Sequence, residues 1–287
     1  MLKQQLKSMF HGKGFKAGFG ISLVCAIAFF LMAVPMPYGI FNGFYAYCGM
    51  GDCNEWSMYS FLLPFLIVLP FATSFQDDLH KKTYGTIMVR NNGGEYIRAK
   101  MIATFIGNFV IVVIPFAVNM VLCSIFLPHV TVTPYGEPES DLFIAIMEGT
   151  GVDFLCINPE QPLVGLIRFS PVLYCILFLV FLGLFCGLAG VVVLALSFWV
   201  RRYKLVLFLP FLLISQLGET WTGISLNKAI ADRSHLFVNL SLWDYVAPFS
   251  YQGKSYLIFW IFVLLLCGFV YLSYRHVLKL DYLKLME

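Results

Sequence analysis

The side chains of this sequence that are capable of acid–base, nucleophilic or metal chemistry are scattered rather than grouped. No pair of histidines has the His-Glu-x-x-His spacing of a zinc site, and no Gly-x-Ser-x-Gly turn would present a nucleophilic serine. Gly12-Lys13-Gly14 is too short for a Gly-x-x-x-x-Gly-Lys-Ser/Thr phosphate loop, and no serine or threonine follows it. We therefore expect no catalytic residues, no bound metal and no cofactor in this chain. The five histidines are His11, His80, His129, His235 and His276.

A few polar residues interrupt long apolar stretches. Glu219 lies in Gln216-Leu217-Gly218-Glu219-Thr220-Trp221, about 10 Å inside the end of a helix that runs to Leu226. A charge at that depth is costly and is a functional candidate that could meet a cationic group of a substrate. The alternative is that the helix ends near Gly218 and Glu219 reaches water.

Other small or polar residues in apolar stretches fit helix packing. Asn108 and Asn119 are further candidates for a substrate path, although interhelical packing explains them most simply. Gly183 and Gly187 have the Gly-x-x-x-Gly spacing of close helix packing, and the same spacing could mark a dimer seam.

The elements that carry these residues are six apolar stretches, each long enough to cross a bilayer as a helix of roughly 20 residues. The chain is 60% hydrophobic and only 12% charged, far from the composition of a soluble domain. In hydrocarbon the backbone must satisfy its own hydrogen bonds, so these stretches should be helices. The sequence predicts an all-α integral membrane protein, a single domain of residues 1–287. The six spans are Ala17–Pro37, Met58–Phe75, Met101–Leu127, Phe169–Val200, Leu205–Leu226 and Tyr256–Tyr274.

Positive charge predicts the orientation, because cytoplasmic connections are enriched in lysine and arginine. Fifteen of the 19 basic residues fall on one side of the six spans, whereas only Arg168, Lys228, Arg233 and Lys254 fall on the other. Both termini should therefore be cytoplasmic. The net charge of +3 does not suggest a nucleic-acid partner.

The segments outside the spans differ in character. Residues 1–16 carry Leu2, Leu6, Met9 and Phe10 at helical spacing, which predicts an amphipathic helix at the membrane surface. Residues 128–168 form a long extracytoplasmic loop with many prolines and acids, and residues 227–254 have an apolar middle that could re-enter the membrane. In the first outer loop, Cys48 and Cys53 are candidates for a disulfide on an oxidising face.

The cytoplasmic segment 76–100 is the most informative connection. It opens with Asp77 and Asp78, continues through Gly85 and the apolar patch Ile87-Met88-Val89, and turns at Asn91-Asn92-Gly93-Gly94. Tyr96 and Lys100 then share one face of the helix that begins the third span. Such a mixed surface, held by two long helices, suits docking onto another protein, although an ordinary solvated loop is the alternative.

This pattern of an acid, a later glycine, an apolar patch, a turn and Tyr-x-x-x-Lys resembles the permeases of type-2 ABC exporters. The amphipathic first helix, six spans, cytoplasmic termini and re-entrant structure before the last span are similar to that family's layout. The resemblance implies that Asp77–Asn92 includes a coupling helix that docks on a separate ATPase subunit. The residues expected to couple to that ATPase are Asp77, Asp78, Thr83, Tyr84, Gly85, Ile87, Met88, Arg90, Tyr96 and Lys100.

The resemblance also implies partners and a location. ATP and Mg²⁺ would be bound by the partner ATPase, and a second permease copy, identical or related, would complete the pathway in a bacterial plasma membrane. The expected function is export of a peptide, antibiotic or lipid-like substrate. An ion-coupled secondary transporter is the alternative, and a polytopic membrane enzyme is a weaker one.

Overall fold

The computed structural model describes residues 1–33, 53–80, 93–126, 166, 171–200, 204–231, 240–246 and 256–279. All secondary structure within these ranges is helical, as the composition predicted. The α-helices are α1 (Leu2–His11), α2 (Lys13–Ala33), α3 (Cys53–Val68), α4 (Ser74–His80), α5 (Gly93–Phe126), α6 (Pro171–Ser197), α7 (Leu209–Ala231) and α8 (Tyr256–Lys279). Short 3-10 helices cover Lys204–Leu207 and Trp243–Val246.

Four helices are long and apolar enough, by length and composition, to cross a membrane. These segments are Lys13–Met32 in α2, Gly93–Cys123 in α5, Leu173–Ser197 in α6 and Tyr256–Leu278 in α8. They coincide with the first, third, fourth and sixth predicted spans. The described part of the chain therefore has the make-up of a helical membrane protein, whereas the count of six spans and the cytoplasmic termini stay predictions.

The second predicted span, Met58–Phe75, is not one continuous helix. Helix α3 ends at Val68, residues 69–73 form a turn, and α4 begins at Ser74. Pro70 explains the break, since proline has no N–H to continue the helical hydrogen bonds and disfavours a helical residue before it. The apolar composition continued through the turn, so the composition alone did not show the break.

The fifth predicted span, Leu205–Leu226, is more polar and ends later than expected. Lys204–Leu207 is a 3-10 turn, and α7 then runs from Leu209 to Ala231. The polar run from Gln216 to Thr222 lies in the middle of α7. Helix α7 is therefore less apolar than the four long helices.

Helix α6 lies at the centre of the described part. It packs along α5 and also contacts α3, α4 and α8. The outward face of α8, by contrast, exposes leucines over most of their surface: Leu257, Leu264, Leu265 and Leu272. An apolar exposed face on a long helix is what a lipid-facing surface requires, because lipid tails are as apolar as leucine.

The predicted amphipathic helix at the N-terminus is present as α1. Gly12 ends it in an extended conformation and donates its backbone N–H to the Met9 carbonyl at 2.9 Å. Helix α2 then begins at Lys13, four residues before the predicted first span. The Met9 side chain is fully buried where α1 packs against α5.

Candidate functional site

Asp78 links the helices on either side of residues 81–92, which are α4 and α5. It lies near the end of α4, and its Oδ2 accepts a hydrogen bond from the Tyr96 hydroxyl in the first turns of α5. The same oxygen forms an ion pair with Lys100 Nζ at 2.5 Å. We call this three-residue arrangement the clamp. Because Tyr96 and Lys100 are four residues apart, helical geometry directs both side chains toward the same carboxylate.

Lys100 is unusually buried for a lysine. It is 1% exposed, whereas the Asp78 side chain is 26% exposed. The ammonium group lies 5.4 Å from the centre of the Phe71 ring and 5.2 Å from that of Tyr96. A buried ammonium is tolerated when a carboxylate pairs with it, and aromatic faces add a favourable cation–π attraction. The clamp therefore combines charge, a hydrogen bond and aromatic packing in one place.

A compact apolar cluster surrounds the clamp and fixes its position. The Phe75 ring of α4 meets the Phe198 ring at the end of α6 edge to face, with centroids 4.8 Å apart. The cluster draws on α4, α5, α6 and α8, so four helices converge here. Its buried members are Phe75, Tyr96, Ile97, Leu194, Ala195, Phe198 and Val277.

Polar contacts at the edge of this cluster tie the same helices together. Gln76 Nε2 donates to the Val200 carbonyl just beyond the end of α6. On α8, the Tyr274 hydroxyl accepts from Arg98 Nε at 2.7 Å. Trp199 Nε1 donates to Ser273 Oγ at 3.1 Å. These contacts involve α4, α5, α8 and the residues just after α6, and nothing in the local sequence pattern pointed to them.

Of the predicted coupling residues, the structure brings Asp78, Tyr96 and Lys100 together. Asp77 is half-buried next to them in α4, with its backbone N–H donated to the Thr73 carbonyl at 3.0 Å. The remaining predicted coupling residues lie outside the described residues: Thr83, Tyr84, Gly85, Ile87, Met88 and Arg90. The described geometry thus concerns the residues on either side of the predicted coupling segment and not residues 81–92 themselves.

Glu219 lies in the middle of α7. About 15 Å of helix precedes it from Leu209 and about 18 Å follows it to Ala231, at 1.5 Å per residue. The alternative in which the helix ends near Gly218 is therefore wrong. Glu219 is half-buried, and Ser215 Oγ, one turn earlier on the same face, lies 3.5 Å from its Oε1. The opposite face exposes Leu213, Leu217 and Ile224, so the carboxylate belongs to the protein-facing side.

Residues 240–246, the described part of the predicted re-entrant segment beyond α7, pack directly onto that same side. Thr222 Oγ1 accepts backbone N–H groups from Leu240 at 2.9 Å and Ser241 at 3.1 Å. A Cβ on Gly218 would lie 2.4 Å from the Leu240 carbonyl oxygen, so only glycine permits this approach. Further along, the fully buried Trp243 ring meets Phe185 of α6 edge to face at 5.7 Å.

The buried asparagines and glycines lie at the contact between α5 and α6. A Cβ on Gly190 would lie 2.0 Å from Asn108 Nδ2, and one on Gly183 would lie 2.3 Å from a methyl group of Val113. A Cβ on Gly187 would likewise lie 2.9 Å from the Phe105 ring. Asn108 donates to the Thr104 carbonyl at 3.0 Å. Within one copy of the chain, these glycines thus face α5.

Asn119 is also fully buried on α5, and its Oδ1 accepts from Cys123 Sγ at 3.4 Å. Neither asparagine is exposed to an open passage in the described residues. Cys48, the first half of the predicted disulfide, lies outside the described residues, and Cys53 is the first residue of α3.

Within the described residues, no group of three or more histidine, cysteine, aspartate or glutamate side chains is arranged to hold a metal ion. Comparisons with protein-family models, curated proteins and solved structures found no match to this chain.

Proposed function

We propose that this chain is the membrane-spanning permease subunit of an ATP-driven transporter, of the kind that type-2 ABC exporters use. The observation that supports this most is the clamp, which ties the two flanks of segment 81–92 to each other. Asp78 stands three residues before the segment, and Tyr96 and Lys100 stand shortly after it. A connection held in this way at its base would move as one body with the helices that carry it.

The packing around the clamp gives such a movement a route into the membrane. Force applied at segment 81–92 would reach α4 and α5 directly, and then α6 and α8 through the Phe75–Phe198 cluster. By rigid-body rotation, packed helices can convert a local contact change into a change in the side of the membrane to which a pathway opens. In this proposal a separate ATPase binds ATP and Mg²⁺ and supplies the force, while this chain forms half of the pathway beside a second permease copy.

The proposed cargo is an amphipathic peptide, an antibiotic or a lipid-like molecule leaving a bacterial cell through its plasma membrane. The exposed faces of α7 and α8 are apolar, which suits a cargo that partitions into lipid. Glu219, half-buried on the protein-facing side of α7, is the proposed contact for a cationic group of that cargo.

A second function, ion-coupled secondary transport, is favoured by Glu219 alone. An ionisable residue in the middle of a long helix within a membrane protein is often part of an ion or proton relay. The two functions differ in their energy source. In proteoliposomes, the ATP-driven function requires the co-purified ATPase and ATP without any ion gradient, whereas the ion-coupled function requires a gradient and no ATP.

Affinity purification in mild detergent tests the proposal first. We expect an ATPase subunit to co-elute with the wild-type chain and to be lost when Leu79–Arg90 is deleted or when Gly85 is replaced by proline. Folding of each variant is checked by monodisperse elution. An ATPase that stays bound after the deletion would contradict the role given to this segment.

A further inference from the structure

The first sixteen residues carry four exposed lysines and no acidic side chain of their own. Lys3, Lys7, Lys13 and Lys16 are all exposed, and the sequence contains no aspartate or glutamate before Asp52. Within the described residues, none of these four lysines takes part in an ion pair. Lys3 and Lys7 are also one helical turn apart, where like charges repel each other. The positive charge of these four lysines therefore favours binding of an external anion.

The depth of α1 follows from where it touches α5. Helix α5 has 34 residues, but roughly 20 suffice to cross the hydrocarbon. Counting about 20 residues back from Phe126 places the hydrocarbon edge near Gly107, and no charged residue follows Lys100 in α5. The Met9 sulfur occupies the space beside Gly107, where a Cβ would lie only 2.4 Å away. Helix α1 is thus seated at that edge.

Two further contacts support the same depth of α1 at the hydrocarbon edge. A Cβ on Gly107 would also lie 3.4 Å from Pro70, in the turn that ends α3. Gly14, at the start of α2, approaches the Leu69 carbonyl so closely that a Cβ would lie 2.1 Å from its oxygen. The start of α2 and the end of α3 therefore meet beside α1, as expected where helices leave the hydrocarbon.

Helix α1 also presents apolar side chains outward. Leu2 is 37% exposed and Phe10 is 38% exposed, whereas Met9 is fully buried. A surface helix with basic residues beside exposed apolar ones fits the boundary between headgroups and acyl chains. An anionic leaflet supplies both partners at once, phosphate for the lysines and acyl chain for the apolar residues.

We propose that Lys3, Lys7, Lys13 and Lys16 form a binding surface for anionic phospholipid headgroups at the leaflet in which α1 lies. The surface selects phosphatidylglycerol-like lipids over zwitterionic ones and holds α1 against α5. This proposal does not depend on an ATPase partner, so it stands or falls separately from the transport function.

The test is lipid binding to the purified full chain in a neutral detergent, measured by native mass spectrometry. Phosphatidylglycerol and phosphatidylcholine with the same acyl chains are titrated into the wild type, into K3Q/K7Q/K13Q/K16Q, and into the matched charge-retaining K3R/K7R/K13R/K16R. Two half-variants, K3Q/K7Q and K13Q/K16Q, keep the test informative if the fourfold glutamine variant does not fold.

We expect the wild type and the arginine variant to prefer phosphatidylglycerol, with affinity that falls as salt is raised. Glutamine should weaken phosphatidylglycerol binding about fivefold for each lysine that reaches a headgroup, and leave phosphatidylcholine binding unchanged. Unchanged phosphatidylglycerol affinity in the glutamine variants would overturn the proposal. Equal binding of both lipids by the wild type would do the same, as would displacement by glycerol phosphate, which has no acyl chain, at the same concentration as the intact lipid.

Discussion

Asp78 and Lys100 illustrate how a buried charge is tolerated inside a packed group of helices. The ammonium group is almost fully shielded, while the carboxylate keeps about a quarter of its side chain exposed. Removing one partner of such a pair is more damaging than removing both, because the remaining buried charge has no counter-charge. The two single substitutions are therefore expected to differ in cost. Removing the Asp78 carboxylate should destabilise the protein more than removing the Lys100 ammonium, since Lys100 is the more buried partner.

Replacing Asp78 with asparagine should lower the free energy of unfolding by about 3 kcal/mol, because the buried Lys100 side chain loses its counter-charge. Thermal unfolding of the purified chain measures the effect. The matched control is Glu95→Gln on the exposed side of α5, which should change stability by less than about 1 kcal/mol. The double variant D78N/K100M should recover part of the loss, as a double-mutant cycle requires for a direct contact. Equal melting temperatures for D78N and E95Q would argue against a stabilising clamp.

Part of this site was predictable from the sequence, because helix periodicity alone puts Tyr96 and Lys100 on one face. The choice between Asp77 and Asp78 as their partner was not predictable, since it depends on the direction in which α4 leaves the turn at residues 69–73. The same limit applies to Phe71, whose ring lies near Lys100 through that turn. Gln76 gave no sequence signal at all, because its partner is a backbone carbonyl 124 residues away.

At the scale of elements, α7 and residues 240–246 form one packed unit. Thr222 also donates to the Gly218 carbonyl at 2.8 Å, so its hydroxyl serves both its own helix and the incoming backbone. The sequence predicted an apolar segment that could re-enter the membrane, but it did not identify Gly218 as the residue that lets the segment approach. That information lies in a backbone contact between residues 22 apart, which no local pattern encodes.

Gly218→Ala should therefore displace the Leu240 backbone and lower the free energy of unfolding by about 1–3 kcal/mol. Gly223→Ala, on the same helix, has no atom within 4 Å of the added methyl group. Alanine is the better helix former, so this control should be neutral or stabilising by up to about 1 kcal/mol. Thermal unfolding compares the two variants. A G218A protein as stable as G223A would show that the close approach is not needed for stability.

The break between α3 and α4 shows a second limit at this scale. Hydropathy treats Leu69, Pro70 and Phe71 as part of one apolar stretch, yet the backbone cannot continue a regular helix through the proline. The turn directs α4, and hence Asp78, toward Tyr96 and Lys100 of α5. A proline inside an apolar stretch was the available signal, although Pro64 lies within α3 and Pro115 within α5 without ending either helix.

At the scale of the whole molecule, α5 and α6 provide a central pair around which the other helices gather. Small residues on α6 allow Phe105, Asn108 and Phe109 of α5 to pack closely. Composition predicted the helical class and six spans, four of which coincide with long apolar helices in the described residues. It could not predict this pairing, because apolar faces of similar composition pack with many partners and only the shape of the glycine row selects one.

The orientation of the molecule is a prediction of its own. A fluorescent protein fused after Glu287 should fluoresce, and alkaline phosphatase fused at the same place should be inactive, because positively charged connections stay in the cytoplasm. Alkaline phosphatase fused after residue 150, in the long predicted outer loop, should be active. An active phosphatase at the C-terminus would reverse the orientation and move the clamp to the outer face.

The most direct test of the central claim is photo-cross-linking in intact cells from a probe amino acid placed at Tyr84, in the segment whose base the clamp holds. Leu264 on the exposed face of α8 is the control position, since a lipid-facing probe should not reach a cytoplasmic protein. We expect one major adduct from position 84, to a polypeptide with a Gly-x-x-x-x-Gly-Lys-Ser/Thr motif, and none from position 264. Absence of that adduct, together with labelling of a cysteine at position 84 by a membrane-impermeant reagent outside the cell, would contradict the central claim.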